Sequence, residues 1–415
     1  MRNKWLLCLS LAVLFCLAFA LPALGARSDA LVTAAELNDL LGEEGVVILD
    51  VRKSGYDEGH IPRAVSVTTA EFYEEREGVK KMAAGPEKMS AFLSRIGVTR
   101  ESRIIIYADA KGLKYATRLW WVLKLYGHEN AQVLDGGIEA WTAAGYELST
   151  EPVTPEPSTY TVTAADVRQD AVATTAEVKA ALKTDTVIVD CRSLDYFRGK
   201  KAKAARSGHI KGAVLVSYDD LLNADGTFKS EEELAEVFGV KGVTNYTPVI
   251  TTCNTGTTAT THYLALTRIL GYTNVQNHDA SLMGWAQDPT LPMESDYDFF
   301  TIGSKEAEIN AVLLELEAAP CIQDGRAFAP ASALAFGLEA YFAQAGDVIR
   351  LVANGRTLEM QVGSPVLKVD GISLPMGAAP FESGGVTFLP VRAVAEAVGA
   401  EVEWNAEKRQ ISLAL

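Results

Sequence analysis

Ile48-Leu-Asp-Val-Arg52, followed by Gly59-His-Ile-Pro-Arg-Ala-Val65, decides how this chain folds. Both stretches return, as Ile188-Val-Asp-Cys-Arg192 and Gly208-His-Ile-Lys-Gly-Ala-Val214. Beyond them the spacing is constant. Asp109, Gly112, Gly127, Asp135 and Trp141 find partners 144 positions later, at Cys253, Gly256, Gly271, Asp279 and Trp285. A fixed internal period means a duplicated structural unit. Each copy alternates short β-rich runs with helical stretches, which implies βα units. The expected class is α/β, with two mainly parallel sheets, each covered by helices on both faces.

Ser149 to Ser158 carries three prolines among Glu and Thr, and predicts an extended linker. The last part of the chain repeats at a spacing of 60. Gly303-Ser304 matches Gly363-Ser364, and Pro320, Gly325, Phe328 and Pro330 match Pro380, Gly385, Phe388 and Pro390. Ala333–Ala340 matches Ala393–Ala400 as a short apolar helix. This predicts a smaller α+β domain of two half-repeats.

The first residues read as an export signal. Arg2 and Lys4 precede an apolar run from Trp5 to Ala20, then Leu21-Pro-Ala-Leu-Gly-Ala26. A retained membrane anchor is the alternative. The expected division is a signal peptide at 1–26, a first copy at 27–150, a linker at 151–160, a second copy at 161–298 and the small domain at 299–415. The expected location is exported: periplasmic, cell-surface or secreted. Removing Arg2 and Lys4 takes the net charge from -15 to -17. So acidic a chain argues against nucleic acid and anionic membranes as partners. After cleavage three cysteines remain, Cys191, Cys253 and Cys321. Three is an odd number for a protein stapled by disulfides, so a free Cys253 is expected.

Cys253-Asn-Thr-Gly-Thr-Thr-Ala259 carries the chemistry. It lies between a β-prone run, Pro248–Thr252, and a helical one, Ala259–Leu270. Inward-pointing amides and a helix N-terminus favour a thiolate with an anion beside it. Such a site suits capture of a sulfur atom. A structural cysteine in a turn is the other reading of the heptapeptide alone.

Residues 30 to 298 resemble the tandem-domain rhodanese family, the thiosulfate and 3-mercaptopyruvate sulfurtransferases. The resemblance rests on Asp50/Arg52 and Asp190/Arg192, on the Gly-His-Ile segments at Gly59 and Gly208, on Asp135…Trp141 and Asp279…Trp285, and on Cys253, Gly256, Thr258 and Ala259. It implies that Cys253 is the nucleophile and that Asn254, Thr255, Gly256, Thr257, Thr258 and Ala259 bind substrate and persulfide. The first copy, with Asp109 in the cysteine's place, becomes a scaffold. No cofactor and no metal are implied. The donor would be a small sulfur anion and the acceptor cyanide or a thiol. Two departures bear on substrate. Asn254 and Thr255 stand where thiosulfate-type members place basic residues, which leans toward mercaptopyruvate. Tyr196 and Gly284 replace an expected arginine and glutamate. The second copy also has nine extra residues: Asp190 to His209 spans 19 positions, against 10 from Asp50 to His60. That insertion holds Arg198, Lys200, Lys201, Lys203 and Arg206, and Arg198 or Arg206 is expected to replace the missing arginine. A non-catalytic sulfur carrier or cell-surface binding protein is the reading from another class.

The C-terminal repeats resemble the domain named after the N-terminal, stalk-like part of copper amine oxidases, through Gly384-Gly-Val-Thr-Phe-Leu-Pro-Val-Arg392 onward. All five histidines precede residue 299, so copper is not expected there. Attachment to the cell envelope is the expected role.

Overall fold

The structure, a computed structural model, describes residues 29–415. The expected signal peptide, 1–26, lies outside the described residues. Among the described residues no helix is long and apolar enough to cross a membrane.

The first copy builds a five-stranded parallel sheet. Its strand order is Leu31–Val32, Ala131–Leu134, Arg103–Tyr107, Val46–Asp50, Ala64–Ser66. The second copy repeats that order with Val172–Ala173, Val275–His278, Val249–Thr252, Val187–Asp190 and Val214–Leu215. The central strands are near-continuous apolar runs because both faces are covered. Ile105 faces Leu37, Ile48 and Trp141, while Ile104 and Ile106 face the opposite cluster with Trp120. In the second copy Ile188 and Ile250 pack with Trp285, whereas Val189 and Val249 join the cluster of Trp120. The two inner faces therefore share one core. At its centre the helices Leu113–Leu125 and Ala259–Leu264 meet. Thr117 and Thr261, 144 positions apart, hydrogen-bond through their hydroxyls at 2.9 Å.

The proline-rich linker is extended but not free. Ser158 donates through its hydroxyl to Val98 O, and Tyr160 N–H donates to Ser94 Oγ. The chain thus runs along the helix Pro86–Arg95. Missing N–H groups at the prolines suit a strip that lies beside a helix instead of joining a sheet.

The C-terminal domain is antiparallel and has its own core around Leu334, Ile349, Leu389 and Val394. Each half runs strand, glycine turn, strand, helix, strand. The first uses Cys321–Gln323, Arg326–Pro330, Ala331–Gly337 and Tyr341–Ala345. The second repeats these 60 residues on. Phe328 pairs with Pro390 and Pro330 with Phe388, so the halves cross as twins. The first strand, Tyr297–Thr301, pairs with the last, Gln410–Ala414, and closes the domain on itself.

Candidate active site

Cys253 follows the buried strand Val249–Thr252 and is itself buried. Gly256 turns the loop at φ +69. A side chain there would put its Cβ 2.6 Å from Asp279 O, so this position needs glycine for space as well as for conformation. Thr258 already has helical backbone and hands the chain to the helix starting at Ala259.

The loop is held from behind by Ser281, which sequence reasoning missed. Ser281 sits at φ +47, in the left-handed region. Its hydroxyl accepts from Cys253 N–H at 3.1 Å and Gly256 N–H at 2.9 Å, and donates to His278 O at 2.8 Å. Cys253 O and Asn254 O accept from the N–H groups of Leu282 and Met283. Among the described residues, the N–H groups of Asn254, Thr255, Thr257 and Thr258 have no acceptor within the protein. Four amides on one tight turn are what an anionic sulfur would need. The Asn254 side-chain oxygen is also buried and unpartnered.

The first copy supplies the other wall. Tyr73 OH meets Thr257 Oγ1 at 2.6 Å, and Thr257 Oγ1 lies 3.2 Å from Thr255 Oγ1. Arg118 is fully buried; it donates to Gly256 O at 3.2 Å and to Asp279 Oδ1 at 2.5 Å. Asp279 also accepts from Ala83 N–H at 3.0 Å. Asp135, its twin, accepts from Phe228 N–H at 2.9 Å. Each copy thus reaches into the other. Only a signal of long-range pairing could have found Tyr73 and Arg118.

The first copy's own loop has a different content. Asp109 replaces the thiol, and the Glu139 carboxylate takes the Ala110 N–H at 3.0 Å. Gly137 stands where the second copy has Ser281, and a Cβ there would lie 2.3 Å from Ala108 O.

Arg198 and Arg206 do not replace the missing arginine. Arg198 bonds Asp296 at 2.6 Å and lies against the Tyr297 ring. Arg206 is buried, and its guanidinium serves the carbonyls of Ala286, Asp288 and Leu291. Lys200 pairs with Glu403 at 2.8 Å, and Ser207 N–H donates to Glu308. The insertion joins the second copy to the C-terminal domain. Arg198, Lys200, Lys201 and Arg206 are engaged by carboxylates and carbonyls, and Lys203 lies over the Tyr196 ring.

The remaining markers are structural. Arg192 forks onto Asp190 and reaches Gly208 O at 2.8 Å; Arg52 does the same with Asp50 and Gly59 O. His60 stacks on Tyr56 and His209 on Phe197. Trp141 and Trp285 are buried. Cys191 is a free, fully buried thiol, pushed well up by burial and then by the neighbouring Cys253. Such a thiol is inert at neutral pH.

Two duplicated α/β units, with a glycine-turned cysteine loop in the second alone, define a single-cysteine sulfur-transfer scaffold. The rhodanese-like domain model matches residues 33–144 and 174–288, and the copper amine oxidase N-terminal domain model matches 308–413. The chain belongs to the rhodanese family and carries that second domain at its C-terminal end. It is 33% identical over 279 residues to "Putative thiosulfate sulfurtransferase 1" of Mycobacterium bovis, covering 65% of this chain and 99% of that one. A protein of the same general name in Saccharopolyspora erythraea is 31% identical over 279 residues, covering 65% and 97%. Among solved structures, wild-type EanB superposes with a TM-score of 0.58 at 23% identity, over 64% of this chain and 69% of that one. The anaerobic ergothioneine biosynthesis enzyme of Chlorobium limicola gives the same score and identity, over 64% and 70%. Those two likenesses concern the fold.

Proposed function

We propose that the protein transfers a sulfane sulfur from thiosulfate through a Cys253 persulfide to cyanide or a thiol. The Cys253 thiolate attacks the outer sulfur of thiosulfate. The S–S bond of the donor breaks, and sulfite leaves with the electron pair. Cyanide then attacks the terminal sulfur of the persulfide, giving thiocyanate and restoring the thiolate. This is covalent, ping-pong catalysis. The observation that carries it is the set of four unpaired loop amides around a free cysteine. They favour the thiolate first and the persulfide anion next.

3-Mercaptopyruvate is the second donor to consider. Asn254 and Thr255 are neutral, and the insertion's arginines are engaged elsewhere. The same cysteine would take its sulfur and release pyruvate. We infer a location at the cell envelope; the expected signal peptide and the C-terminal domain support that reading. Fractionation of cells producing the full chain tests the location.

The deciding experiment supplies thiosulfate and cyanide and follows thiocyanate, with Cys253→Ser as control. Turnover that the serine variant lacks supports the reading. A folded protein with no turnover on thiosulfate, but pyruvate release from mercaptopyruvate, moves the donor. No turnover with either, and persulfide formed once per thiol, makes the protein a carrier.

A further inference from the structure

The first copy is more than a wall, because one of its side chains sets the direction of the hydroxyl groups on the cysteine loop. Tyr73 begins the hairpin strand Tyr73–Arg76, which pairs with Val79–Ala83. The hairpin is pinned by the second copy directly opposite Tyr73, where Asp279 takes the N–H of Ala83, the residue paired with Tyr73. Lys88 Nζ donates to Tyr73 O at 2.8 Å and holds the same end. The ring is buried, lies 5.0 Å from Phe72, and has the Arg118 guanidinium 5.4 Å from its centre.

Burial pushes the Tyr73 phenol far up, so it keeps its proton at neutral pH. Its hydroxyl partner among the described residues is Thr257 Oγ1, at 2.6 Å, so donating to Thr257 is the arrangement that leaves no buried phenol proton unpaired. Thr257 is buried too, and its other hydroxyl neighbour is Thr255 Oγ1, at 3.2 Å. A hydroxyl that accepts from the phenol spends its own proton elsewhere, and here that means Thr255. Thr255 then has its accepting lone pair filled from behind. Its proton is then without a partner among the described residues. Without Tyr73 either threonine could donate to the other, and Thr255 would no longer be held with its proton free.

The geometry points to Tyr73 as a positioning residue of the sulfur-transfer site: from the other copy, it polarises a Tyr73–Thr257–Thr255 hydroxyl chain so that Thr255 keeps its proton free for an anionic sulfur held on the cysteine loop. The inference rests on the proposed sulfur transfer for its catalytic meaning, but not for its geometry. Tyr73 does not touch the reacting atoms; it acts through two threonines. A neutral hydrogen bond of this kind changes a rate or an affinity by roughly three- to tenfold.

The test uses the full chain in a Cys8→Ser, Cys16→Ser, Cys321→Ser background, so that Cys253 and the fully buried Cys191 are the remaining thiols. Two readouts are taken: the pH profile of iodoacetamide alkylation, and kcat and KM for thiosulfate with cyanide. Tyr73→Phe should move the alkylation midpoint upward and lower kcat/KM by roughly three- to tenfold. Thr257→Val should do the same. The double variant should match Thr257→Val alone, because the chain is already cut. Thr257→Ser keeps the hydroxyl, so adding Tyr73→Phe to it should restore the full effect; this pair also serves if Thr257→Val does not fold. An unchanged alkylation profile in Tyr73→Phe overturns the inference, and so do effects that simply add in the double variant. Alkylation needs no sulfur donor. A shifted profile in a protein that makes no thiocyanate would therefore sink the proposed function alone, while turnover with an unshifted profile would sink the relay alone.

Discussion

Asp279→Asn should destabilise the paired copies severely, and the geometry sets the size. The carboxylate is buried and holds Arg118 at 2.5 Å, Arg76 at 3.5 Å and the Ala83 N–H at 3.0 Å. Arg118 has no exposed surface, and its Nε already lacks a partner. Neutralising Asp279 leaves that guanidinium buried with only the Gly256 and Lys81 carbonyls. Breaking a buried pair from one side costs about 3–5 kcal/mol. At roughly 2–4 °C per kcal/mol for a body of this size, Tm should fall by about 6–20 °C. Arg76 is half exposed and its loss should cost no more than about 1 kcal/mol. Trp121 lies 4.9 Å from Arg118, so intrinsic fluorescence on a thermal ramp reports this region directly. Adding Arg118→Met to Asp279→Asn should restore part of the loss, because no charge is then stranded. A fall below about 3 °C, or a double variant worse than Asp279→Asn, would refute the electrostatic account and leave packing as the bond between copies.

Ser281→Ala removes the acceptor of two loop amides and should cost about 1–3 kcal/mol; Ser281→Gly relaxes the left-handed backbone and should cost less, which urea unfolding of the two variants will show. Gly256→Ala combines a positive φ with a 2.6 Å approach to Asp279 O, and should lower thiocyanate production by about tenfold or more while Cys191 stays unreactive to alkylation. The two parts of the chain should respond oppositely to pH. Burial, with Glu308 and Glu339 adding, pushes Asp298 up to about 7 from 3.8, so its share of stability is full below about pH 4 and is lost as pH rises through 7, roughly 4 kcal/mol in all. Burial pulls His262 and His278 down to about 4, so their share is full above about 6.5 and is lost as pH falls toward 4. Calorimetry at pH 5 and pH 8 should move the two transitions in opposite senses, and Asp298→Asn should flatten the C-terminal one.

The α/β class was legible because a parallel sheet covered on both faces needs apolar runs, and the repeats placed those runs twice at one spacing. The two crossing halves of the C-terminal domain were legible for the same reason. The cysteine loop could be read because it is contiguous: a strand end, a glycine and a helix start lie within seven residues. What could not be read was everything that depends on how the copies face each other. Tyr73, Arg118 and Ser281 have nothing local to mark them, since each matters through a partner far along the chain or on another element. The insertion failed differently. Its cations suggested an anion site by charge alone, but Arg198 goes to Asp296, Lys201 to Asp195, and Lys200 to Glu403 of the C-terminal domain.

The internal duplication supplies its own control for what makes a site. Both copies have the same strand order, the same Asp–Arg brace and the same stacked histidine, so none of these features distinguishes a reactive copy from an inert one. Three substitutions at equivalent places do. Cys253 replaces Asp109 and brings a nucleophile. Ser281 replaces Gly137 and puts a neutral hydroxyl, not a charge, behind the loop. Met283 replaces Glu139, so no carboxylate from that position fills the loop, as one does in the first copy. An anion cradle occupied by its own glutamate cannot take a sulfur anion; one closed from behind by a serine still has its forward amides free. On this argument, introducing cysteine at Asp109 alone would yield a thiol that alkylates slowly and makes no thiocyanate, and only the further change Glu139→Met would open the loop to a donor.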